Sequence, residues 1–338
     1  MVHNITITEA LSSTLPILDV RSPKEYQQGH IPGAVNIPLF SDEERVEVGT
    51  TYKQVSREAA IQLGTALVNP KLIDYINDSK RVAPEGTAII HCWRGGMRSQ
   101  SFAKHLSDNG FTELNVITGG YKAYRNHVLE ILELPIQIKL LGGYTGSGKT
   151  YILSELKKLG HQVIDLEGLA HHKGSAFGGI GELPQPTSEQ FSNNLYQEMS
   201  TLDRAKDIWI EDESYSIGTV NVPQPFHTQM RATNLIFLDI PAEERAVHLV
   251  QEYTQVGDHL LAESILKLAK RLGTEKVKLA LGLLSEKNYY EVALLSLVYY
   301  DRLYAKGKNR KSTRTVTTIT LQNTHHYENA LTLLTLNI

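Results

Sequence analysis

The sequence has little of several features that mark particular classes of protein. Only one of its 338 residues, Cys92, is a cysteine, which excludes an internal disulfide and is typical of a protein from a reducing cytosol. The N-terminal stretch "MVHNITITEALSS" lacks the apolar core and basic flank of a signal peptide. No hydrophobic run approaches the length needed to cross a bilayer. We therefore expect a cytoplasmic protein without a membrane partner.

Internal repeats and low-complexity tracts are also absent, and the chain is long for a single compact core, so two domains are expected. Short β-branched runs such as "TAIIHC" and "NLIFLDIP" alternate with helical stretches. This alternation predicts the α/β class with parallel sheets. A helical stretch before Pro135 and a new strand after it place the boundary near residue 131. The predicted domains are residues 1–130 and residues 131–338, and the second has a helical C-terminal part.

The single thiol lies between a predicted strand and a predicted helix, in "TAIIHCWRGGMRSQ". Backbone N–H groups of such a loop and the first helical turn lack helical partners and form an anion cradle. A cysteine at its start has its thiolate stabilised and is nucleophilic at neutral pH. The alternative, an inert buried cysteine, fits poorly with neighbouring glycines and arginines. The predicted catalytic residues are Cys92, Arg94, Gly95, Gly96 and Arg98, and the two glycines are expected to let the loop curl tightly.

A second loop, "GYTGSGKT", matches the Walker A phosphate-binding pattern between a strand and a helix. Its backbone N–H groups cradle phosphate oxygens, its lysine reaches the terminal phosphates and its last hydroxyl is a ligand for Mg²⁺. The guanine-reading pattern N-K-x-D is absent, which argues against a GTPase. The predicted phosphate-binding residues are Gly143, Gly146, Ser147, Gly148, Lys149 and Thr150, with Thr150 as the Mg²⁺ ligand.

Acidic residues at the ends of neighbouring strands are candidates for the metal or substrate side of this loop. They are Asp165 after "HQVI" and Glu211, Asp212 and Glu213 in "IWIEDES". The sequence does not show which of these residues acts beside the loop. It is equally consistent with acidic side chains that are only solvated at the strand ends. His171 and His172 are adjacent and lack further ligands at tetrahedral spacing, so no zinc site is predicted.

Positive charge is concentrated near the C-terminus. Residues 267–314 contain 12 Lys/Arg against 4 Asp/Glu, although the whole chain has a net charge of −3. Such a segment is either a docking surface for a polyanion or a set of solvated helix faces. The predicted RNA-binding residues lie just after the helical pattern, which ends near Ala305, and are Lys306, Lys308, Arg310, Lys311 and Arg314.

Three stretches of the first domain resemble a rhodanese domain over residues 4 to about 125. They are "ILDVRSPKEYQQGHIPGAVNIPL", "AIIHCWRGGMRS" and "VITGGYKAYR". The resemblance implies a rhodanese-like fold and chemistry at Cys92. Five residues separate Cys92 from Arg98, as in rhodanese-like phosphatases and arsenate reductases, whereas the commonest sulfurtransferase loop has four. The longer loop implies a tetrahedral oxyanion substrate.

Together with "ERVEVGTTYKQ", "GGYTGSGKT" and "DLEGLAHHKGSAFG", the thiol loop resembles the tRNA 2-selenouridine synthase family, from about residue 5 to 320. The resemblance implies an enzyme that converts wobble 2-thiouridine in tRNA into 2-selenouridine through S-geranyl-2-thiouridine. It implies geranyl diphosphate and selenophosphate as substrates, Mg²⁺ in the phosphate site, and a partner that supplies selenophosphate. Whether Cys92 handles selenium or displaces the geranylthio group stays open.

Two other functions fit the residues. One is an ATP-dependent sulfurtransferase that passes a persulfide from Cys92 to RNA. The other is a rhodanese-like phosphatase in which the phosphate loop is a regulatory nucleotide site.

Overall fold

The computed structural model describes residues 1–175, 177–253, 257–308 and 314–336, without the side chains of residues 253, 270–271 and 303–308. The chain forms two compact units. The first contains Met1–Leu132 together with Ser192–Tyr196, and the second contains the remainder from Glu133 onward. The sequence predicted one cut near residue 131 and did not foresee the return of residues 192–196 to the first unit.

The first unit is built on a parallel sheet of five strands in the order β1-β5-β4-β2-β3. The centre of the sheet is the run Ala88–Ile90, which is fully buried and packs with residues such as Leu18, Phe102 and Val116. The strands are β1 (Val2–Ile5), β2 (Ile17–Asp19), β3 (Val35–Asn36), β4 (Thr87–His91) and β5 (Glu113–Ile117).

Helices of the first unit begin at recognisable local signals. The helix after β2 starts at a capping box, in which Ser22 Oγ accepts from the Glu25 N–H and the Glu25 carboxylate accepts from the Ser22 N–H, with Pro23 in the first helical position. The helices are α1 (Ile7–Leu11), α2 (Pro23–Gln28), α3 (Asp42–Gln54), α4 (Arg57–Val68), α5 (Leu72–Val82), α6 (Met97–Asp108) and α7 (Gly120–Glu133).

The second unit contains a parallel sheet in the order β12-β11-β6-β8-β7 and a short antiparallel hairpin of β9 and β10. The chain starts at the central strand β6, moves to one side and then crosses to the other. Parallel sheets bind ligands at the carboxyl edge where the strand order reverses. The strands are β6 (Gln137–Gly143), β7 (Gln162–Ile164), β8 (Asp207–Glu211), β9 (Ser216–Ile217), β10 (Val220–Asn221), β11 (Leu235–Asp239) and β12 (Val316–Thr320).

The apolar core of the second unit includes two clusters. One lies between the sheet and the helices α8 and α17, and the other joins the helices that follow β11. The helices are α8 (Lys149–Lys158), α9 (Leu166–Ala170), α10 (Ser188–Ser200), α11 (Gln224–Ala232), α12 (Ala242–Tyr253), α13 (Asp258–Lys267), α14 (Ala269–Leu272), α15 (Thr274–Ser285), α16 (Tyr289–Lys308) and α17 (His326–Thr335). Over the described ranges, none of these helices has the length and hydrophobicity that a bilayer crossing requires.

The predicted α/β class with two parallel sheets is confirmed. The elements that were missed include the edge strands β1 and β12 and the last helix, α17. Both edge strands are short and largely exposed, so they lack the continuous apolar run by which the inner strands were recognised. The helical pattern also continues to Lys308, past the expected end near Ala305.

Candidate functional site

The first candidate site is the loop after the central strand β4, where Cys92 stands. Gly95 and Gly120 have φ values of +62° and +58°, in the left-handed region that favours glycine. A Cβ on either residue would come closer than 3.0 Å to backbone atoms of the facing loop. The Tyr121 N–H also donates to the Cys92 carbonyl at 2.9 Å. The glycines that follow β5 therefore pack closely against the thiol loop and fix its position.

Polar groups surround the Cys92 sulfur, although the residue is only 3% exposed. Sγ lies 3.3 Å from the Ser99 hydroxyl. Burial raises the pKa of the thiol, but the Ser99 hydroxyl, the Arg98 charge and the backbone N–H groups of Ser99 and Arg94 outweigh it, so the pKa of Cys92 lies below its ordinary value. The loop can therefore stabilise a thiolate near neutral pH.

The two arginines of the thiol loop differ in position. Arg98 donates to the Glu25 carboxylate at 2.8 and 3.5 Å, and Arg45 of α3 approaches the same carboxylate at 3.5 Å. The Arg94 side chain is exposed. Sequence reasoning missed Glu25, although the capping-box spacing from Ser22 marks it as the start of a helix. This carboxylate positions Arg98 from outside the loop.

Gly96 needs a correction. It was expected to let the loop curl tightly, but its φ is −97° and no atom lies within 4 Å of a Cβ built there. The tight turn depends on Gly95, and Gly96 is the residue that precedes the first turn of α6.

A lowered thiol pKa predicts the pH dependence of alkylation. Because Cys92 is the only cysteine, iodoacetamide uptake by the folded protein reports on this thiol alone. The rate should rise with pH through a midpoint below that of an unperturbed cysteine thiol measured under the same conditions. Arg98→Gln removes a charge that favours the thiolate, so its midpoint should move upward.

Arg94→Gln is the matched control, because Arg94 acts on the sulfur through its backbone N–H, which the substitution keeps. Its midpoint should stay close to that of the wild type. A wild-type midpoint at or above that of an unperturbed cysteine thiol, or equal shifts in the two variants, would contradict the proposed electrostatics of the loop.

The second candidate site is the phosphate loop between β6 and α8. It borders a cavity of about 830 Å³, and the loop residues that line it include Thr145, Gly146, Gly148, Lys149 and Thr150. Gly148 immediately precedes the first residue of α8. The N–H groups of this helix start therefore face the cavity end of the loop, as an anion site requires.

Two of the predicted phosphate-binding residues stabilise the conformation of the loop. Gly143 and Ser147 pack against each other, because a Cβ on Gly143 would lie 2.7 Å from Ser147 Oγ, and Ser147 is fully buried. Arg245 of α12 donates to the Thr145 carbonyl at 3.0 Å and to both oxygens of Asp301 in α16. The loop is therefore tied to the helices beside it.

The acidic candidates make different contacts in the structure. Asp165 caps α9 by accepting from the Gly168 N–H, and Glu211 accepts from the Glu167 N–H at 2.7 Å. Glu213 lines the cavity. Glu167, which sequence reasoning did not select, also lines it and accepts from the Thr150 hydroxyl at 2.9 Å. Glu167 and Glu213 therefore both face the cavity that the phosphate loop borders.

These buried carboxylates influence one another. Burial, together with the neighbouring carboxylates, raises the pKa of Glu167 and of Glu211, and raises that of Glu213 to about 8. Carboxylate oxygens of Glu167 and Glu213 both lie near Gly174, since a Cβ built on Gly174 would be within 3.1 Å of them. Such a cluster favours a proton or a cation between its members.

Asp212, the remaining acidic candidate, is held by two arginines. Arg231 donates to it at 2.6 Å, and Arg314 contacts both of its oxygens at 3.1 and 2.8 Å. This corrects the expectation for Arg314, which was placed among the RNA-binding residues after the helical pattern. Its side chain is only 12% exposed. It lines the cavity bordered by the phosphate loop, which we call the phosphate cavity.

The other predicted RNA-binding residues cannot be located by their side chains. Arg310 and Lys311 lie outside the described residues, and Lys306 and Lys308 are described only as backbone, at the end of α16. These two were expected to follow the helix but belong to it. Their role in RNA binding stays a prediction.

Histidines from distant segments meet at the phosphate loop. His326, the first residue of α17, stacks on Tyr151 with 4.7 Å between ring centroids and lies against Gly148. His248 of α12 lines the cavity 5.1 Å from the His326 ring. Burial lowers the pKa of both rings. Sequence reasoning missed them, because nothing local connects residues 151, 248 and 326.

The adjacent histidines of the sequence analysis separate in the structure. His171 ends α9 in a left-handed conformation, with Nδ1 2.9 Å from the Pro184 carbonyl oxygen. His172 lines the cavity. The first is therefore structural, and the second faces the space that a ligand would occupy.

Comparison with known proteins assigns both parts of the chain. Residues 6–127 match the model of the rhodanese-like domain, and residues 136–332 match that of the tRNA 2-selenouridine synthase AAA domain. Relatives named tRNA 2-selenouridine synthase include proteins from Shewanella halifaxensis (35% identity, 89% of this chain and 91% of that one), Serratia proteamaculans (36%, 89% and 89%) and Shewanella woodyi (32%, 97% and 99%).

Proposed function

The chain belongs to the tRNA 2-selenouridine synthase family, and we propose from this premise that it replaces the sulfur of wobble 2-thiouridine with selenium by way of an S-geranyl intermediate. The protein is an enzyme of tRNA modification, and we place it in the cytoplasm with its tRNA. One observation supports the proposal: the same chain contains an activated thiol, Cys92, and a phosphate-binding loop at Lys149.

The first step is proposed for the phosphate cavity. The thiocarbonyl sulfur of the base attacks C1 of geranyl diphosphate, a C–S bond forms, the C1–O bond breaks, inorganic diphosphate leaves and the base loses its N3 proton to water. Negative charge grows on the leaving oxygens. Lys149 and the N–H groups at the start of α8 stabilise that charge. Alkylation turns a poor leaving group, the thiocarbonyl sulfur, into a good one.

The residues of the cavity fit a Mg²⁺ ion. Thr150 Oγ1 and the Glu167 carboxylate lie 2.9 Å apart, and the mutual repulsion of Glu167 and Glu213 would fall beside a cation. Among the described residues no group of three or more His, Cys, Asp or Glu side chains is placed to hold a metal ion, so Mg²⁺ would share its coordination with phosphate oxygens and water. When bound, it supplies further neutralisation of the diphosphate.

The second step is proposed for the thiol loop. Selenophosphate provides selenium, the C2–S bond to the geranylthio group breaks, a C2–Se bond forms, and water takes the phosphoryl group. The loop from Cys92 to Arg98 is long enough for a tetrahedral oxyanion, and its N–H groups and Arg98 favour negative charge. Cys92 either positions the selenium donor, without an S–Se bond, or displaces geranylthiol by forming a bond from its sulfur to C2, which selenide then breaks. A base trapped covalently on the Cys92 sulfur marks the second route, and its absence marks the first.

Reconstitution tests the proposed function. Purified protein is mixed with an anticodon stem-loop RNA that contains 2-thiouridine, with geranyl diphosphate, selenophosphate and Mg²⁺. Mass spectrometry of the nucleosides should show S-geranyl-2-thiouridine first and 2-selenouridine later. Without geranyl diphosphate the 2-thiouridine should persist. Selenouridine formed without geranyl diphosphate, or only with ATP, would contradict the geranyl route.

The basic segment should contribute to tRNA binding. Replacing Lys306, Lys308 and Lys311 with Gln should weaken binding and flatten the plot of log K against log salt by roughly two to three units, since each lost phosphate contact removes about 0.7–0.9. Arg314 is left unchanged because it holds Asp212. The measurement is a salt titration of tRNA binding by the wild type and the triple variant.

A control variant carries the same charge change elsewhere, with Gln at the exposed lysines 104, 157 and 158. Its salt dependence should follow that of the wild type. If the lines for the basic-segment variant and the wild type superimpose, the segment is a solvated surface and the RNA binds elsewhere.

A further inference from the structure

A small apolar cleft adjoins the phosphate cavity in the second unit. It has a volume of about 60 Å³ and is lined mainly by Phe177, Leu249, Val250, Leu261, Val292 and Ala293. Leu261 and Val292 belong to the buried core of the C-terminal helices, and Phe177 packs against that core. The cleft is therefore a gap at the edge of a buried apolar cluster.

Three of the hydroxyl groups around the cleft already have partners within the chain. Ser296 donates to the Val292 carbonyl at 2.9 Å, Tyr289 donates to Asp258 at 2.8 Å, and Ser175 accepts from the Phe177 N–H at 3.1 Å. No charged side chain is among the described residues that line the cleft. A polar ligand group would therefore lose its hydrogen bonds to water there, whereas a hydrocarbon group would be stabilised by burial.

The cleft and the phosphate cavity are continuous. Thr145, Ser175, Leu249 and Tyr300 line both, and Thr145 is itself part of the phosphate loop. A single ligand can therefore place phosphates on the loop and an apolar tail in the cleft. The base and ribose of a nucleotide have polar edges that need hydrogen-bond partners, so a nucleotide fits the cleft poorly.

The size of the cleft limits the tail. A water-sized group needs about 10–15 Å³, so 60 Å³ admits roughly four to six such groups. This is close to one five-carbon isoprene unit. We propose that the cleft holds the isoprene unit farthest from the diphosphate and thereby selects a ten-carbon chain, an inference that rests on the proposed function.

Filling the cleft tests this selection. Ala293 is half-buried in α16, and Ala293→Phe places a ring where the second isoprene unit would lie. Transfer to 2-thiouridine RNA is measured with dimethylallyl, geranyl and farnesyl diphosphates. The ratio of kcat/KM for the ten-carbon over the five-carbon donor should fall at least about tenfold. Inhibition by inorganic diphosphate should be unchanged, since its site is the loop.

Two further variants control for misfolding. Val298→Phe adds the same ring on an exposed position of the same helix and should keep the wild-type ratios. Phe177→Ala enlarges the cleft and should raise the relative rate with the fifteen-carbon donor. If both cleft variants geranylate RNA with wild-type chain-length ratios, the cleft proposal is wrong. If the wild type transfers no prenyl group from any donor, the proposed function fails, and the cleft proposal fails with it.

Discussion

Replacing Cys92 with serine should abolish selenium incorporation while S-geranylation of the RNA continues. The loop around Cys92 lowers the pKa of a thiol, but a serine hydroxyl remains protonated and is a far weaker nucleophile at the same pH. Geranylation should persist because it is assigned to the phosphate cavity of the other unit. The variant should therefore accumulate S-geranyl-2-thiouridine.

The measurement is mass spectrometry of the nucleosides at successive times, starting from 2-thiouridine RNA with both donors present. Ser99→Ala serves as a graded control, since it removes the hydroxyl 3.3 Å from Sγ but keeps the thiol. It should slow selenation without stopping it. Full selenouridine synthesis by Cys92→Ser would show that the thiol is not part of the reaction, and loss of both products would place geranylation in the thiol loop as well.

Replacing Lys149 with alanine should block geranylation. An electrostatic contact to the leaving diphosphate contributes on the order of 3 kcal/mol to the transition state, so the rate should fall by about a hundredfold or more. The thiol loop is unaffected, so the same variant should still convert RNA that is already S-geranylated into selenouridine. The two halves of the reaction are then separated by two single substitutions.

The assay follows both reactions in parallel, with 2-thiouridine RNA for the first and chemically geranylated RNA for the second. Lys158→Ala, at an exposed position in the last turn of the same helix α8, is the control and should geranylate at the wild-type rate. Normal geranylation by Lys149→Ala would mean that the phosphate loop binds some other ligand.

The thiol loop and the phosphate loop could both be predicted from the sequence because each is a short continuous segment. In such a segment the function depends on backbone conformation and on side chains a few residues apart, and glycine spacing reports that conformation directly. The buried strands that precede the two loops were equally visible, since a strand buried on both faces leaves a continuous apolar run.

The surroundings of the loops depended on tertiary structure. Glu167 reaches Thr150 across 17 residues, and Arg314 reaches Asp212 across 102 residues. His326 comes from a helix that follows an edge strand without an apolar run. No local pattern links such residues, because their proximity results from the order of strands in the sheet.

The sequence by itself determined the two loops on which the proposed chemistry depends, the thiol loop at Cys92 and the phosphate loop at Lys149. Only the tertiary structure decided which carboxylates face the phosphate loop, removed Arg314 from the predicted RNA surface, and formed the apolar cleft beside Thr145. The physical reason is that a cavity is the space left between packed elements. Its shape depends on how α12, α13 and α16 pack against one another, and residues far apart in sequence line it together.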